Sequence, residues 1–105
     1  MQSKFILKEV SFLRETKRYL IEEQKQFKRK IRYFKDRIRN IDNHLLLNNE
    51  DTEKANEIKE FLYKEIEETK QSITKNIQEI ENTEKQKLRM YAELKRLNNN
   101  KYIGA

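Results

Sequence analysis

The sequence predicts an all-α protein, an antiparallel helical bundle or coiled coil, and three observations carry that prediction. Apolar residues make up only 35% of the 105 residues while 40% are charged, against roughly 45–50% apolar in an ordinary globular domain. Such a chain lines a narrow seam and cannot fill a thick core. There is no proline, and the single glycine, Gly104, stands at the end of the chain, so nothing breaks a helix and tight hairpin turns lose their usual residues. Lastly, the apolar residues of the first half repeat with a heptad period. Whether the whole is a three-helix bundle or a long two-helix hairpin is left open by these observations.

The first helix is expected over about 4–47. Ile6, Val10, Leu13, Lys17, Leu20, Gln24, Phe27, Ile31, Phe34, Ile38, Ile41 and Leu45 follow alternating steps of four and three, and ten of the twelve are apolar. A 3.5-residue period held this long specifies a left-handed coiled-coil seam. Lys17 and Gln24 fall at position a, where a polar residue costs stability and fixes register or partner number. Phe5, Phe12, Tyr19 and Tyr33 share position c, with Gln26 in the gap. Position c lies about 100° around the helix from d, too far to join a two-helix seam. The stripe is therefore core against a third helix, or an exposed aromatic face for a partner, or scattered exposure.

A turn is expected at 48–51, where Asn48, Asn49 and Asp51 are turn and N-cap types, with Leu45 to Leu47 closing that end of the bundle. Glu50, Asp51 and Glu53 suit the positive end of a following helix. Helical pattern resumes over 52–97, but Ile58, Leu62, Ile66, Ile73, Ile77, Ile80, Leu88, Tyr91 and Leu94 hold no single heptad frame. The spacing Ile58–Leu62–Ile66 suggests a drift towards an eleven-residue repeat. Either one straightened helix returns the length of the first, or a break falls near 69–74. Residues 98–105 are expected to fray. The chain is read as one helical domain, 1–105.

The net charge of +6 is unevenly spread. Residues 1–48 hold 13 Lys/Arg and 6 Asp/Glu, giving +7, and residues 49–105 hold 11 and 12, giving −1. Lys25, Lys28, Arg29, Lys30, Arg32, Lys35, Arg37 and Arg39 face one acid, Asp36. These cations either pair across the helix edges with a more acidic second helix or attract an acidic protein surface. No nucleic-acid reader motif accompanies them, and the eight ring the seam rather than form one band. The candidate partner-binding residues are Phe5, Phe12, Tyr19, Lys28, Arg29, Arg32, Tyr33 and Arg37.

Chemistry is poorly served. Without cysteine there are no thiolates or Cys-type zinc sites. The one histidine, His44, sits near the turn and is expected to be solvated. No internal glycine exists for a phosphate-binding loop. Carboxylates such as Glu65, Glu67 and Glu68 read as solvated faces. The expectation is a non-enzyme with no cofactor, metal or small-molecule substrate. No apolar run approaches the roughly 20 residues of a membrane span, and MQSKFILKEV lacks a signal-peptide core, so a cytoplasmic protein is expected.

From Val10 to Ile31, and on to Phe34-Lys35, the chain resembles the tubulin-binding cofactor A family. The similar residues are Val10, Leu13, Lys17, Glu23, Lys25, Gln26, Lys30, Ile31, Phe34 and Lys35, with a second stretch at Lys54, Glu57, Ile58 and Ile66. The resemblance implies a monomeric three-helix chaperone that captures acidic β-tubulin during tubulin folding or dimer turnover, associated with the cytoskeleton. Thr52-Glu53-Lys54-Ala55 stands where that family carries a Tyr-Asp-Ile-Lys-Lys-Gln tract, and Glu67 stands near its inter-helix proline. The alternative from the seam alone is a structural coiled-coil subunit of a larger assembly, of kinetochore or vesicle-tethering type.

Overall fold

The computed structural model describes the backbone of residues 2–48 and 52–103 and the side chains of residues 3–44 and 52–99. The fold is all-α, an antiparallel helical hairpin of α1 (Gln2–Asn48) and α2 (Thr52–Ile103). No third helix occurs among the described residues. α2 runs unbroken through 69–74, so the three-helix arrangement implied by the family resemblance does not form. Its residues Glu67 to Ser72 contain no proline or glycine to interrupt the backbone ladder. Residues 98–103, expected to fray, are helical. Of the expected turn at 48–51, Asn48 is the last residue of α1, and residues 49–51, the Leu45–Leu47 side chains and the final Gly104–Ala105 lie outside what is described.

The chain divides into two compact units, Met1–Glu22 with Asn76–Ala105, and Glu23–Lys75. In the Glu23–Lys75 unit, Ile38, Leu62 and Ile66 are buried and packed together, with Ile31, Phe34 and Ile41 against them. The segments run antiparallel: Asp42 Oδ1 pairs with Lys59 Nζ at 2.7 Å, while Ile38, earlier in α1, packs with Leu62 and Ile66, later in α2. In the other unit, Ile6, Val10, Leu13 and Leu20 of α1 are buried, as are Asn76 and Thr83 of α2. Leu20 with Asn76, Lys17 with Glu84 and Arg14 with Tyr91 give the same antiparallel sense.

All eleven of the expected α1 seam positions from Ile6 to Ile41 are buried or half-buried. The reading of α2 needs correction. Among its buried and half-buried residues, Ala55, Lys59, Leu62, Ile66, Thr69, Ile73, Asn76, Ile80, Thr83, Lys87, Met90, Leu94 and Leu97 form one series, flanked by the half-buried Glu65, Ser72, Glu84, Tyr91 and Glu93. Steps of four and three alternate without exception, so α2 keeps one heptad frame and there is no eleven-residue drift. Ile58, Ile77 and Leu88, which suggested the drift, are exposed. Five polar residues occupy seam positions instead. Thr69 and Thr83 satisfy their hydroxyls by donating to the carbonyls of Glu65 and Glu79 in the preceding turn. Asn76 Nδ2 donates to the Leu20 carbonyl at 2.8 Å.

Candidate interaction surfaces

Position c of α1 faces solvent. Phe5, Phe12, Tyr19 and Tyr33 are 61, 67, 68 and 56% exposed, which settles the choice between core and surface: with no third helix described, the stripe has nothing to pack on. The reason is angular. In the α1 frame c sits about 130° from the middle of the a/d seam, so a two-helix pair cannot cover it. Singly exposed apolar side chains are ordinary, but a row of large rings at seven-residue spacing is the kind of patch that marks a contact surface. The eight candidate residues fall into two groups. Phe5, Phe12 and Tyr19 belong to one unit, and Lys28, Arg29, Arg32, Tyr33 and Arg37 to the other.

All eight are exposed. In the second group the Arg37 guanidinium stands 5.9 Å from the Tyr33 ring centroid, and Tyr33 meets Phe34 at 5.8 Å with rings tilted 54°. Lys30 Nζ caps the Phe34 ring at 5.8 Å. Arg39 pairs with Asp36 one turn away at 3.4 Å. Among the described residues, Lys28, Arg29, Arg32 and Lys35 make no ion pair. The intramolecular explanation therefore does not account for these four, whose charge points to water. Five of the cations also align better than expected. Lys25, Lys28, Arg32, Lys35 and Arg39 step by three and four along positions b and e, a straight cationic edge on one side of the helix.

The ion pairs that do cross between helices have another pattern. Each begins from a lysine in a seam position, Lys17 of α1 or Lys59 of α2, and ends on a carboxylate at position e of the opposite helix. The Asp42 carboxylate raises the Lys59 ammonium above its ordinary value. Glu84 lies between two lysines, with Oε1 2.6 Å from Lys17 Nζ and 2.8 Å from Lys87 Nζ. That oxygen is shielded from water and poorly aimed for a hydrogen bond, so charge is what satisfies it. The Lys17 ammonium, then the Lys87 ammonium, hold the Glu84 carboxyl below its ordinary value of 4.5. These contacts define the seam edge.

A carboxyl whose value is lowered by folding contributes stability that is present above its unfolded value and lost as pH falls through the folded one. For Glu84 the loss therefore begins below about pH 4.5. Replacing Glu84→Gln is expected to lower the melting temperature at neutral pH and to remove part of its fall in acid. Thermal melts of both proteins from neutral to acidic pH check this, and parallel curves through the acid range would refute it.

His44 is exposed near the end of α1. Among the described residues no group of three or more His, Cys, Asp or Glu is placed to hold a metal ion. No described helix is long and apolar enough to cross a membrane. The chain matches no known protein family, no curated protein and no solved structure.

Proposed function

We propose that this chain is a non-enzymatic binding protein that holds an acidic protein partner against α1. The observation that carries the reading is that α1 exposes large rings in both units, Phe5, Phe12 and Tyr19 in the one and Tyr33 among the surplus cations in the other. Rings supply contact area at little cost in side-chain entropy, and unpaired cations such as Lys28 and Arg32 attract and orient an acidic surface. β-Tubulin is the first candidate, because α1 resembles the tubulin-binding cofactor A family and tubulin is acidic. In that reading the protein is a cytoplasmic chaperone associated with the cytoskeleton, which captures β-tubulin during folding or dimer turnover. No cofactor, membrane or nucleic acid takes part.

The test is a sizing and light-scattering run at low micromolar concentration, with and without tubulin. Co-elution with tubulin supports the chaperone reading. Replacing Phe12→Ala together with Tyr19→Ala is then expected to weaken the complex by at least about tenfold, equivalent to about 1.4 kcal/mol. The melting temperature should hold, because neither ring is buried. A large loss of stability would instead make the stripe core, and an unchanged affinity would remove it from the binding surface.

The second reading, a structural coiled-coil subunit of a larger assembly of kinetochore or vesicle-tethering type, is favoured by the two-helix architecture. A hairpin with a third face of rings offers a place for a helix of another chain. It predicts no tubulin complex, and capture of a helical subunit instead.

A further inference from the structure

We propose that the row Phe5–Phe12–Tyr19 is a self-association surface that takes a second copy of this chain with the two α1 helices antiparallel. The inference goes beyond partner holding and does not depend on it. Its ground is that this stretch is complementary to itself. Phe5 and Tyr19 lie seven residues either side of Phe12, and all three rings are about two-thirds exposed. A two-fold axis through Phe12 lays Phe12 on its own copy and sets each Phe5 on a Tyr19. Isologous contact of this kind is how most dimers close.

The charges along the row obey the same symmetry with opposite sign. Lys8 precedes Phe12 by four residues and Glu15 follows it by three. Both stand at position f, on the same side of the aromatic row, and both are exposed. An axis perpendicular to the helix keeps that side together, so each Lys8 meets the Glu15 of the other copy, twice per dimer. Within its own helix Glu15 has only an exposed pair with Arg18 at 3.4 Å, a contact too weakly held to withdraw it. On the other side of the row, Glu9 meets Thr16 of the second copy, which brings no like charges together. A parallel pairing would place Glu15 beside Thr16 instead, leaving Glu15 without a role.

Size limits the strength. Six rings of roughly 150–250 Å², each about two-thirds exposed, give an interface of roughly 600–1,000 Å², below the about 1,200 Å² of a stable one. The dimer is therefore weak and concentration-dependent. At low micromolar concentration the row is free for another partner.

Sedimentation equilibrium of the full chain, from low micromolar to about 1 mM, tests the proposal. The wild-type chain is expected to pass from monomer to dimer across that range. Phe12→Ala should keep it monomeric with unchanged helicity. Lys8→Glu alone and Glu15→Lys alone should each weaken the dimer about tenfold by placing like charges opposite one another twice. The double reversal, Lys8→Glu with Glu15→Lys, should restore it. A chain monomeric throughout, a dimer indifferent to Phe12→Ala, or a double reversal no stronger than the single ones overturns the proposal. So does sensitivity to Lys8→Glu without sensitivity to Glu15→Lys, the mark of a parallel pairing. Because the reversals leave the rings in place, loss of dimer with tubulin binding intact separates this inference from the proposed function.

Discussion

Replacing Leu62→Ala is expected to cost about 2–5 kcal/mol of folding stability. Leu62 is 2% exposed, packed with Ile38 and Ile66 at the one place where buried side chains of both helices gather in the Glu23–Lys75 unit. Ile31, Phe34 and Ile41 around them are only partly buried, so few neighbours can close over a lost side chain. The residual cavity would persist and add to the lost transfer energy. Native domains hold roughly 5–15 kcal/mol, and a thin seam gives no reason to place this one high. Ile58→Ala, four residues away and 42% exposed, should cost less than about 1 kcal/mol. Urea unfolding followed by circular dichroism compares the two. Equal losses would mean that α2 does not hold the heptad frame described above.

That comparison also shows why one helix was legible in the sequence and the other was not. In α1 hydropathy and position agree: ten of the twelve expected seam residues are apolar, and the eleven whose side chains are described, Ile6 to Ile41, are all buried or half-buried. In α2 they part. Lys59, Thr69, Asn76, Thr83 and Lys87 hold seam positions while Ile58, Ile77 and Leu88 stand outside. A search for the strongest apolar residues therefore drifts between two faces. The signal was nonetheless present. Ala55, Leu62, Ile66, Ile73, Ile80, Met90, Leu94 and Leu97 all fit one frame, and demanding a single frame would have exposed the polar seam. Threonine is cheap there, because its hydroxyl can bond within its own helix. Lysine is tolerable because its stem lies along the seam while the ammonium reaches a carboxylate at the edge.

The candidate surface was legible in part for a related reason. A period of seven places Phe5, Phe12 and Tyr19 on one line whatever the partner count, but whether that line is covered depends on the number of helices. The number turned on an absence, since no residue between 52 and 97 interrupts α2. The cationic edge was obscured by counting. Eight basic residues scatter over four heptad positions, and the row of five emerges only when b and e are taken together.

The polar seam has a consequence for specificity, and Asn76 tests it. Its side chain is 2% exposed and donates to the carbonyl of Leu20, 56 residues away. That carbonyl lies inside α1, where the backbone ladder already offers it a partner one turn on, so losing the Nδ2 donor leaves the carbonyl itself satisfied. Replacing Asn76→Leu is thus expected to trade a hydrogen bond worth about 1 kcal/mol for leucine burial worth about 2 kcal/mol. The hairpin should become more stable, by at most about 1 kcal/mol. Asn76→Ala, which gives up the bond without the burial, should lose about as much. The gain has a cost in uniqueness. A buried asparagine in a heptad seam rejects registers in which it faces only hydrocarbon, and leucine rejects none. The Asn76→Leu chain should therefore unfold at higher urea, yet form larger species as concentration rises, through pairings of α1 and α2 between chains. Unfolding curves and sedimentation on the same samples read both effects. A variant that is less stable would show that the Asn76–Leu20 bond holds the pair together, whereas one that is more stable and stays uniform would show that register is fixed elsewhere, first of all by Lys17, Glu84 and Lys87.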